Sequence, residues 1–213
     1  MAALTIGCLD PVFIVLSTYC HLLNCYFQLL ILVCSLCRNL RELDLQENEI
    51  EDCSIHWLSL FPESFTSLVT LNFSCLEGDV NITVLERLVT RCRNLKTLKL
   101  NNAIPLDKLA NLLRKAPQIV ELGTGRFSAD YHPDLFSKLE AAFAGCKSLR
   151  RLSGAWDAVP EYLPAFYCVC EGLTSLNLSY TTVRGPELIK FISRCKNLQL
   201  LWVCSPYPHL LLS

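Results

Sequence analysis

The fold is decided by the stretch CRNLKTLKL at residues 92–100, which places leucines at 95, 98 and 100. The same arrangement, an apolar residue followed by x-x-L-x-x-L-x-L with some replacements, occurs seven times. The stretches are CRNLRELDL (37–45), FTSLVTLNF (65–73), CRNLKTLKL (92–100), APQIVELGT (116–124), CKSLRRLSG (146–154), CEGLTSLNL (170–178) and CKNLQLLWV (195–203). The first anchors are Leu40, Leu68, Leu95, Ile119, Leu149, Leu173 and Leu198, at spacings of 28, 27, 24, 30, 24 and 25 residues. Such a period indicates a fold of stacked repeats.

Apolar residues with the spacing of one helix face fill the segments between these stretches. Leu85, Leu88, Val89 and Cys92 stand at i, i+3, i+4 and i+7, which is the pattern of an amphipathic helix. Four further sets show the same spacing: Leu109, Leu112, Leu113 and Ala116; Leu139, Ala142, Phe143 and Cys146; Leu163, Phe166, Tyr167 and Cys170; Leu188, Phe191, Ile192 and Cys195. Each set ends three residues before a strand anchor, so each unit is predicted to be a helix, a tight corner and a short strand.

This unit predicts an α/β leucine-rich-repeat solenoid of about seven repeats, right-handed, with parallel strands on the concave face and helices on the convex face. One unit cannot bury its apolar side alone, so stacking of neighbours supplies the core. We predict three segments: a divergent apolar N-terminal segment at 1–29, the solenoid at 30–203, and an irregular tail at 204–213 that contains two prolines.

Five of the thirteen cysteines occupy one position of the repeat, where the helix turns into the strand. They are Cys37, Cys92, Cys146, Cys170 and Cys195. A free cysteine packs as a small apolar residue, and we predict this role for the set. A metal site is the alternative, but it needs ligands that converge from several repeats, and no histidine joins the set at ligand spacing.

The apolar segment 11–37 contains no Asp, Glu, Lys or Arg and is long enough for a membrane span. Against that interpretation, polar residues interrupt the segment, and the first ten residues lack the basic residues of a signal peptide. Leu30, Val33, Cys34 and Cys37 also repeat the helix pattern in phase with Leu40. We therefore expect the helix of the first repeat here and no membrane contact, and keep a membrane anchor through 11–36 as an alternative.

Residue patterns of catalysis and of cofactor binding are missing from the sequence. There is no dinucleotide or phosphate loop, zinc-hydrolase motif or serine-hydrolase elbow. The GTGRF stretch at 123–127 is predicted to be a turn after a strand, and the four histidines are scattered. With 19 basic and 20 acidic residues, the charge excess of a nucleic-acid binder is also missing. We predict a non-enzyme and assign no catalytic, cofactor-binding or metal residues.

Binding of a protein partner is better supported, because residues that alternate with strand anchors point away from the core. The residue between the last two anchors of each repeat is Asp44, Asn72, Lys99, Gly123, Ser153, Asn177 or Trp202. A second row, two residues earlier, is Glu42, Thr70, Thr97, Glu121, Arg151, Ser175 and Leu200. The candidate partner surface consists of Asp44, Asn72, Lys99, Arg151, Asn177 and Trp202, and a merely solvated face is the alternative for each residue.

Longer stretches go beyond a generic repeat. The sequences ERLVTRCRNLKTLKLNNAIPLDKLANLLRKAPQIVELGTG and LSGAWDAVPEYLPAFYCVCEGLTSLNLSY resemble the auxin-signalling F-box proteins of plants, the auxin-receptor family. The resemblance covers about 37–203, and the GTG corner and SGAWDAVPEYLPA carry its most specific part.

The resemblance implies a substrate-recognition subunit of an SCF-type E3 ubiquitin ligase in the nucleus, with the cytoplasm as the alternative. Family members bind a Skp-type adaptor through the F-box. Their repeats bind auxin and inositol hexakisphosphate, and capture Aux/IAA repressors for degradation.

Residues 1–36 do not match an F-box, and no ligand-contact residue of the family maps onto this sequence. We therefore expect a member truncated at both ends that binds neither auxin nor the adaptor, with no cofactor in this fragment. A stand-alone interaction module is the alternative.

Overall fold

A computed structural model describes residues 12–15, 39–45, 57–76, 78–125, 132–154, 160–179 and 185–203, with 12–15 as backbone alone. Eight parallel strands form one sheet in chain order. Their bounds are β1 Val12–Val15, β2 Leu40–Asp44, β3 Thr70–Asn72, β4 Thr97–Lys99, β5 Glu121–Gly123, β6 Arg151–Ser153, β7 Ser175–Asn177 and β8 Leu200–Trp202. From β2 to β8, equal positions of the repeat pair with each other, so that Leu98 lies beside Leu122 and Leu122 beside Leu152.

Helices connect most of these strands. The α-helices are α1 Ile82–Arg91, α2 Leu106–Lys115, α3 Pro133–Gly145 and α4 Gly185–Ile192; the 3-10 helices are η1 Trp57–Leu60, η2 Pro160–Phe166 and η3 Cys170–Gly172. Helix α1 begins where the side chain of Asn81 accepts a hydrogen bond from the backbone N–H of Val84 at 3.2 Å, an N-cap that satisfies an otherwise unpaired donor. The predicted leucine-rich-repeat solenoid is confirmed.

The core lies between the sheet and this helical layer. The predicted apolar faces of α1, α2 and α3 are buried in full, from Leu85 to Cys146. Neighbouring repeats also interlock through aromatic rings in the helical layer: the centroids of Phe143 and Phe166 are 4.7 Å apart, and those of Phe166 and Phe191 are 6.2 Å apart. Each repeat therefore contributes to the core of the next one, as stacking requires.

The predicted α-helix through Leu163, Phe166, Tyr167 and Cys170 differs from the structure. Two 3-10 helices, η2 and η3, take its place, with Pro164 inside η2. Proline lacks the N–H that the α-helical ladder needs and its ring clashes with the preceding turn, so a continuous α-helix through this segment is disfavoured. Leu163, Phe166 and Cys170 are nevertheless buried, because the apolar spacing also serves the shorter elements.

Strand β1 adds a finding that the repeat pattern did not predict. It pairs in parallel with β2, although Val12–Val15 falls within the segment 1–29 that we predicted to be divergent. The predicted boundaries at residues 30 and 204, the expected helix through Leu30 and Cys37, and the tail lie outside the described residues. Within the described part of the chain, no helix has the length and apolar character needed to cross a lipid bilayer.

The cysteines of the helix-to-strand corner pack as predicted wherever the structure describes them. Cys92, Cys146, Cys170 and Cys195 are buried free thiols. Three of them donate to the carbonyl four residues earlier, for example from Cys146 Sγ to the oxygen of Ala142 at 3.4 Å. Burial raises the pKa of Cys146 to about 11, so this thiol is neutral near pH 7. Cys37 lies outside the described residues.

The last repeat is open on the side away from β7. Leu201 is 43% exposed, whereas Leu176, its partner on β7, is fully buried. Leu200, Trp202 and Val203 are also exposed. Strand β8 pairs with β7 in the same register as the earlier strands. Within the described residues, however, no further strand covers Leu201.

Candidate functional site: the concave face

The concave face is the side of the sheet that points away from the helices. Each three-residue strand directs its central leucine into the core, and its first and third residues lie on the concave face. Leu71, Leu98, Leu122, Leu152 and Leu176 are the buried central residues. The residues beside them form the two predicted rows, held in register by the parallel pairing from β2 to β8.

At the N-terminal end of this face, Asp44 and Asn72 bind each other. The amide nitrogen of Asn72 donates to Oδ1 of Asp44 at 2.9 Å, and its oxygen accepts from the N–H and hydroxyl of Ser74. As a result Asn72 is only 1% exposed. Asp44 is partly accessible, whereas Asn72 is buried. The structure therefore differs from the prediction that Asn72 is an exposed contact residue. The reason is that the Asn72 side chain is used in the turn after β3.

Lys99 and Arg151 meet on a residue that lies between them, Glu121. Lys99 Nζ is 2.9 Å from Glu121 Oε1, and Nη2 of Arg151 is 2.8 Å from Glu121 Oε2. Arg151 lies directly opposite Glu121 in the register, whereas Lys99 reaches it along the diagonal from β4. Long side chains on neighbouring strands can make both kinds of contact. The three residues form a charge triad across β4, β5 and β6 that carries one excess positive charge.

The carboxyl group of Glu121 is ionised at neutral pH. Burial by itself would raise its pKa, but the hydrogen bond and charge of Lys99, together with the charge of Arg151, outweigh that effect and lower the pKa below the ordinary value. The side chain is 19% exposed, against 51% for Arg151. The triad is therefore anchored by a partly buried anion, while its arginine remains open to a partner.

A recess that we call the Gly123 notch opens beside the triad, at the carboxyl ends of β3 to β7. It has a volume of about 250 Å³, and Gly123 forms part of its wall. Seven of its lining residues bring hydroxyl, amide or ammonium groups: Ser74, Lys99, Asn102, Thr124, Ser153, Asn177 and Ser179. Gly154, also in the lining, has a φ of +92°, and a Cβ there would stand 2.0 Å from the carbonyl oxygen of Thr124. Only glycine allows this close approach without strain.

Asn177 and Trp202 complete the predicted surface toward its C-terminal end. Oδ1 of Asn177 accepts from the N–H of Ser179 at 2.9 Å, and the residue remains partly accessible. Trp202 is 48% exposed on β8. The structure thus brings Lys99 and Asn177 to the same notch, places Arg151 in the charge triad beside it, and leaves Asp44 and Trp202 at distant strands.

The predicted surface omitted two residues that organise this site, Glu121 and Gly123. Glu121 stood in the second row and Gly123 in the first, but neither was selected. A signal was available in the repeat register, since equal positions of neighbouring repeats pair, and this alone places an acidic residue opposite Arg151. The same register places Gly123, which has no side chain, between Lys99 and Ser153.

Metal-ligating side chains do not cluster in the described part of the chain. Over these ranges the structure shows no group of three or more His, Cys, Asp or Glu side chains that could hold a metal ion. His132, which the structure does describe, is an exposed residue that precedes α3. The concave face is a polar surface of hydrogen-bond donors and acceptors with one ion-pair triad, which are groups that can bind a partner.

Known proteins resemble most of the chain in sequence. A Transport inhibitor response 1-like protein of Oryza sativa subsp. japonica is 92% identical over 167 residues, which are 78% of this chain and 28% of that protein. GRR1-like protein 1 of Arabidopsis thaliana is 60% identical over 171 residues, 80% of this chain and 29% of that protein. F-box protein FBX14 of Arabidopsis thaliana is 43% identical over 173 residues, 80% and 28% of the two chains. No protein-family model matches the chain.

These relatives agree with the resemblance seen in the sequence. The matches cover 78–80% of this chain, which spans less than a third of the length of each of these relatives. Together with the confirmed solenoid, the identities show that the chain belongs, through its leucine-rich repeats, to the plant family of auxin-signalling F-box proteins.

Proposed function

We propose that the chain is the repeat scaffold of a substrate-recognition subunit of an SCF-type ubiquitin ligase, and that it acts by binding and not by catalysis. The observation that carries this proposal is the 92% identity over 167 residues to a Transport inhibitor response 1-like protein. The concave face supports it, because solenoids use such extended surfaces for protein partners. Charged and polar residues from β2 to β7 provide the contacts.

In its finer form, the proposal is auxin-dependent capture of Aux/IAA repressors for degradation in the nucleus, with a Skp-type adaptor as the link to the ligase. The family resemblance supports this role. We assign binding of the adaptor, auxin and inositol hexakisphosphate to regions of the relatives that lie outside the matched 28%. The isolated 213-residue chain should therefore bind none of these three.

An exchange of segments tests the proposal. Residues 37–203 of this chain would replace the matching segment of the rice relative, and auxin-dependent retention of an Aux/IAA repressor would be measured on adaptor-bound receptor. We expect the chimera to retain the repressor within about twofold of the unaltered relative, which corresponds to less than about 0.5 kcal/mol. The isolated chain, assayed in parallel, should retain neither adaptor nor repressor.

Two results would contradict the proposal. A chimera that binds the adaptor normally but loses auxin-dependent capture would show that these repeats do not fit a receptor of this kind. Robust binding of labelled auxin or of the adaptor by the isolated chain would show that the binding regions are misplaced.

A further inference from the structure

We propose that the Gly123 notch binds the carboxylate of an Asp or Glu side chain from a protein partner that crosses the concave face. The inference rests on the proposed function of this face in protein recognition. It adds the position and the chemistry of one contact.

The shape of the notch comes from a side chain that is missing at one strand. At the third position of the other strands from β2 to β8 stand Asp44, Asn72, Lys99, Ser153, Asn177 and Trp202. At Gly123, an added Cβ would lie 3.0 Å from Cγ of Lys99 and 3.2 Å from Oγ of Ser153. Lys99 and Ser153 therefore pack directly against the glycine, and a side chain at this position would have to displace one of them at the wall of the notch.

The size of the notch suits one side chain and not a cofactor. Its volume of about 250 Å³ lies below the range of about 300–1,000 Å³ that is usual for small-molecule and cofactor sites. A polar recess of this size is filled by water in the absence of a partner. A partner side chain can displace that water while its backbone stays on the surface.

The lining favours a hydrogen-bond acceptor with negative charge. Lys99 supplies the charge, Asn102 and Asn177 bring amides and Ser179 brings a hydroxyl; none of the residues that line the notch is Asp or Glu. The hydroxyls of Ser74, Thr124 and Ser153 already donate to other groups of the protein. Asn177 already uses its oxygen to accept from Ser179, which leaves its amide nitrogen as a donor. A carboxylate offers two oxygens that accept from such groups.

The charge triad keeps Lys99 available to a second acceptor. An ammonium group has three donors, and Glu121 accepts from Lys99 through one oxygen at 2.9 Å. Arg151 neutralises the other oxygen of Glu121, so one positive charge remains uncompensated within the triad. A singly charged carboxylate balances that excess. A phosphate group carries about −1.5 to −2 charges at neutral pH and is usually recognised by clusters of arginine, which the lining lacks.

The test uses the full chain and a capped amino acid as the probe. N-acetyl-glutamate amide would be titrated at constant ionic strength and pH 7, with backbone amide resonances of Gly123 and Gly154 as the readout in nuclear magnetic resonance. The matched probe is N-acetyl-glutamine amide, which has the same shape without the charge. We expect a saturable shift with the glutamate probe and at least about tenfold weaker binding of the glutamine probe, because hydrogen bonds to a charged group are stronger than those to a neutral amide.

Two variants locate the contact. Lys99→Gln removes the cation, and Gly123→Ser adds a side chain that has to displace Lys99 or Ser153 at the wall of the notch. Each should weaken the glutamate probe at least about tenfold. Lys138→Gln, which alters an exposed lysine of α3 on the opposite side of the molecule, should leave binding unchanged. The remaining resonances report whether each variant keeps the native fold.

Every other outcome overturns the inference. Equal binding of the two probes would remove the role of the charge, and no saturable shift with either would remove the site. Tighter binding of N-acetyl-phosphoserine amide would replace the carboxylate by a phosphate. Failure of this inference and failure of the proposed function can be distinguished. A chimera can capture the Aux/IAA repressor even if the notch does not bind the glutamate probe. Conversely, the notch can bind the probe even if the chimera does not capture the repressor.

Discussion

The central repeats, from β3 to β7, and the last repeat, α4 with β8, share one sequence pattern but differ in burial. Leu122 and Leu176 are fully buried at the middle of their strands, whereas Leu201 at the same position is 43% exposed. All three lie in strands of the same parallel ladder. The repeat motif therefore determines the backbone conformation of a repeat, whereas the burial of its central leucine depends on the packing of the next repeat against it.

The last repeat also shows that burial differs between its two sides. Phe191 on α4 is fully buried, with its ring 6.2 Å from that of Phe166 in the preceding repeat. Ile189, on the same helix, is 69% exposed. The energy of a unit is therefore the sum of two interfaces, and in the described structure the last unit has one of them.

The largest expected effect comes from truncating the central leucine in each region. Leu122→Ala should lower the free energy of unfolding by about 2–5 kcal/mol, because it leaves a cavity in a packed core. Leu201→Ala should cost less than about 1 kcal/mol, since much of that side chain is already in water. Urea denaturation of both variants measures the difference, and equal losses would show that β8 is covered in solution.

A second contrast concerns two glycines with positive φ. Gly154→Ala should cost at least about 2 kcal/mol, because the left-handed backbone is strained for alanine and the new Cβ would meet the carbonyl of Thr124 at 2.0 Å. Gly185 has a φ of +51° with nothing within 4 Å of an added Cβ. Its change to alanine should cost only the backbone strain, about 1 kcal/mol.

Thermal unfolding of these two glycine variants gives the measurement. If Gly185→Ala proves as damaging as Gly154→Ala, the last repeat is packed more closely than its surface indicates. Gly145→Ala, where an added Cβ also meets nothing within 4 Å and φ is not positive, serves as the control and should be neutral or slightly stabilising.

The smallest effect is expected at the charge triad of the central repeats. The folded-state pKa of Glu121 is lowered, so its contribution is complete above the unfolded pKa of about 4.3 and is lost as pH falls through the lower folded value. Glu121→Gln should cost less than about 1 kcal/mol at pH 7, because Arg151 is half exposed and solvent screens the pair.

The difference in free energy of unfolding between wild type and Glu121→Gln, followed from pH 7 to pH 3, checks this sign. It should shrink as the solution becomes acidic. Glu171→Gln, at an exposed residue of η3, is the matched control and should show a smaller difference. A difference that grows in acid would contradict the lowered pKa.

Periodicity explains why most of the fold could be predicted. Leucines at fixed offsets place one residue type at one structural position, and Leu85, Leu112 and Phe143 are buried as their spacing requires. The pattern could not distinguish the 3-10 helix η2 from an α-helix, because both bury the same apolar side chains and Pro164 decides between them. It also missed β1, since an unbroken apolar run carries no alternation.

The candidate site was predictable in position but less so in its contacts. Alternation along a strand assigned Lys99, Arg151 and Asn177 to the concave face. It could not show that Asn72 is buried, because that depends on the turn through Ser74. The triad around Glu121 and the recess at Gly123 depend on which strands are neighbours, which the sequence specifies only once the register of the repeats is applied across the sheet.

The in-register ladder from β2 to β8 has a consequence for how the chain melts. Repeats that are coupled only to their neighbours do not unfold all at once. Unfolding begins at a repeat that lacks one interface and then proceeds to the adjacent repeats. Among the described strands β8 lacks a covering neighbour on one side, so we expect the backbone amides of Leu200–Trp202 to open early and those of Thr97–Lys99 to open late. A single melting temperature would average over unequal transitions, so stability in this chain is a property of position along the stack.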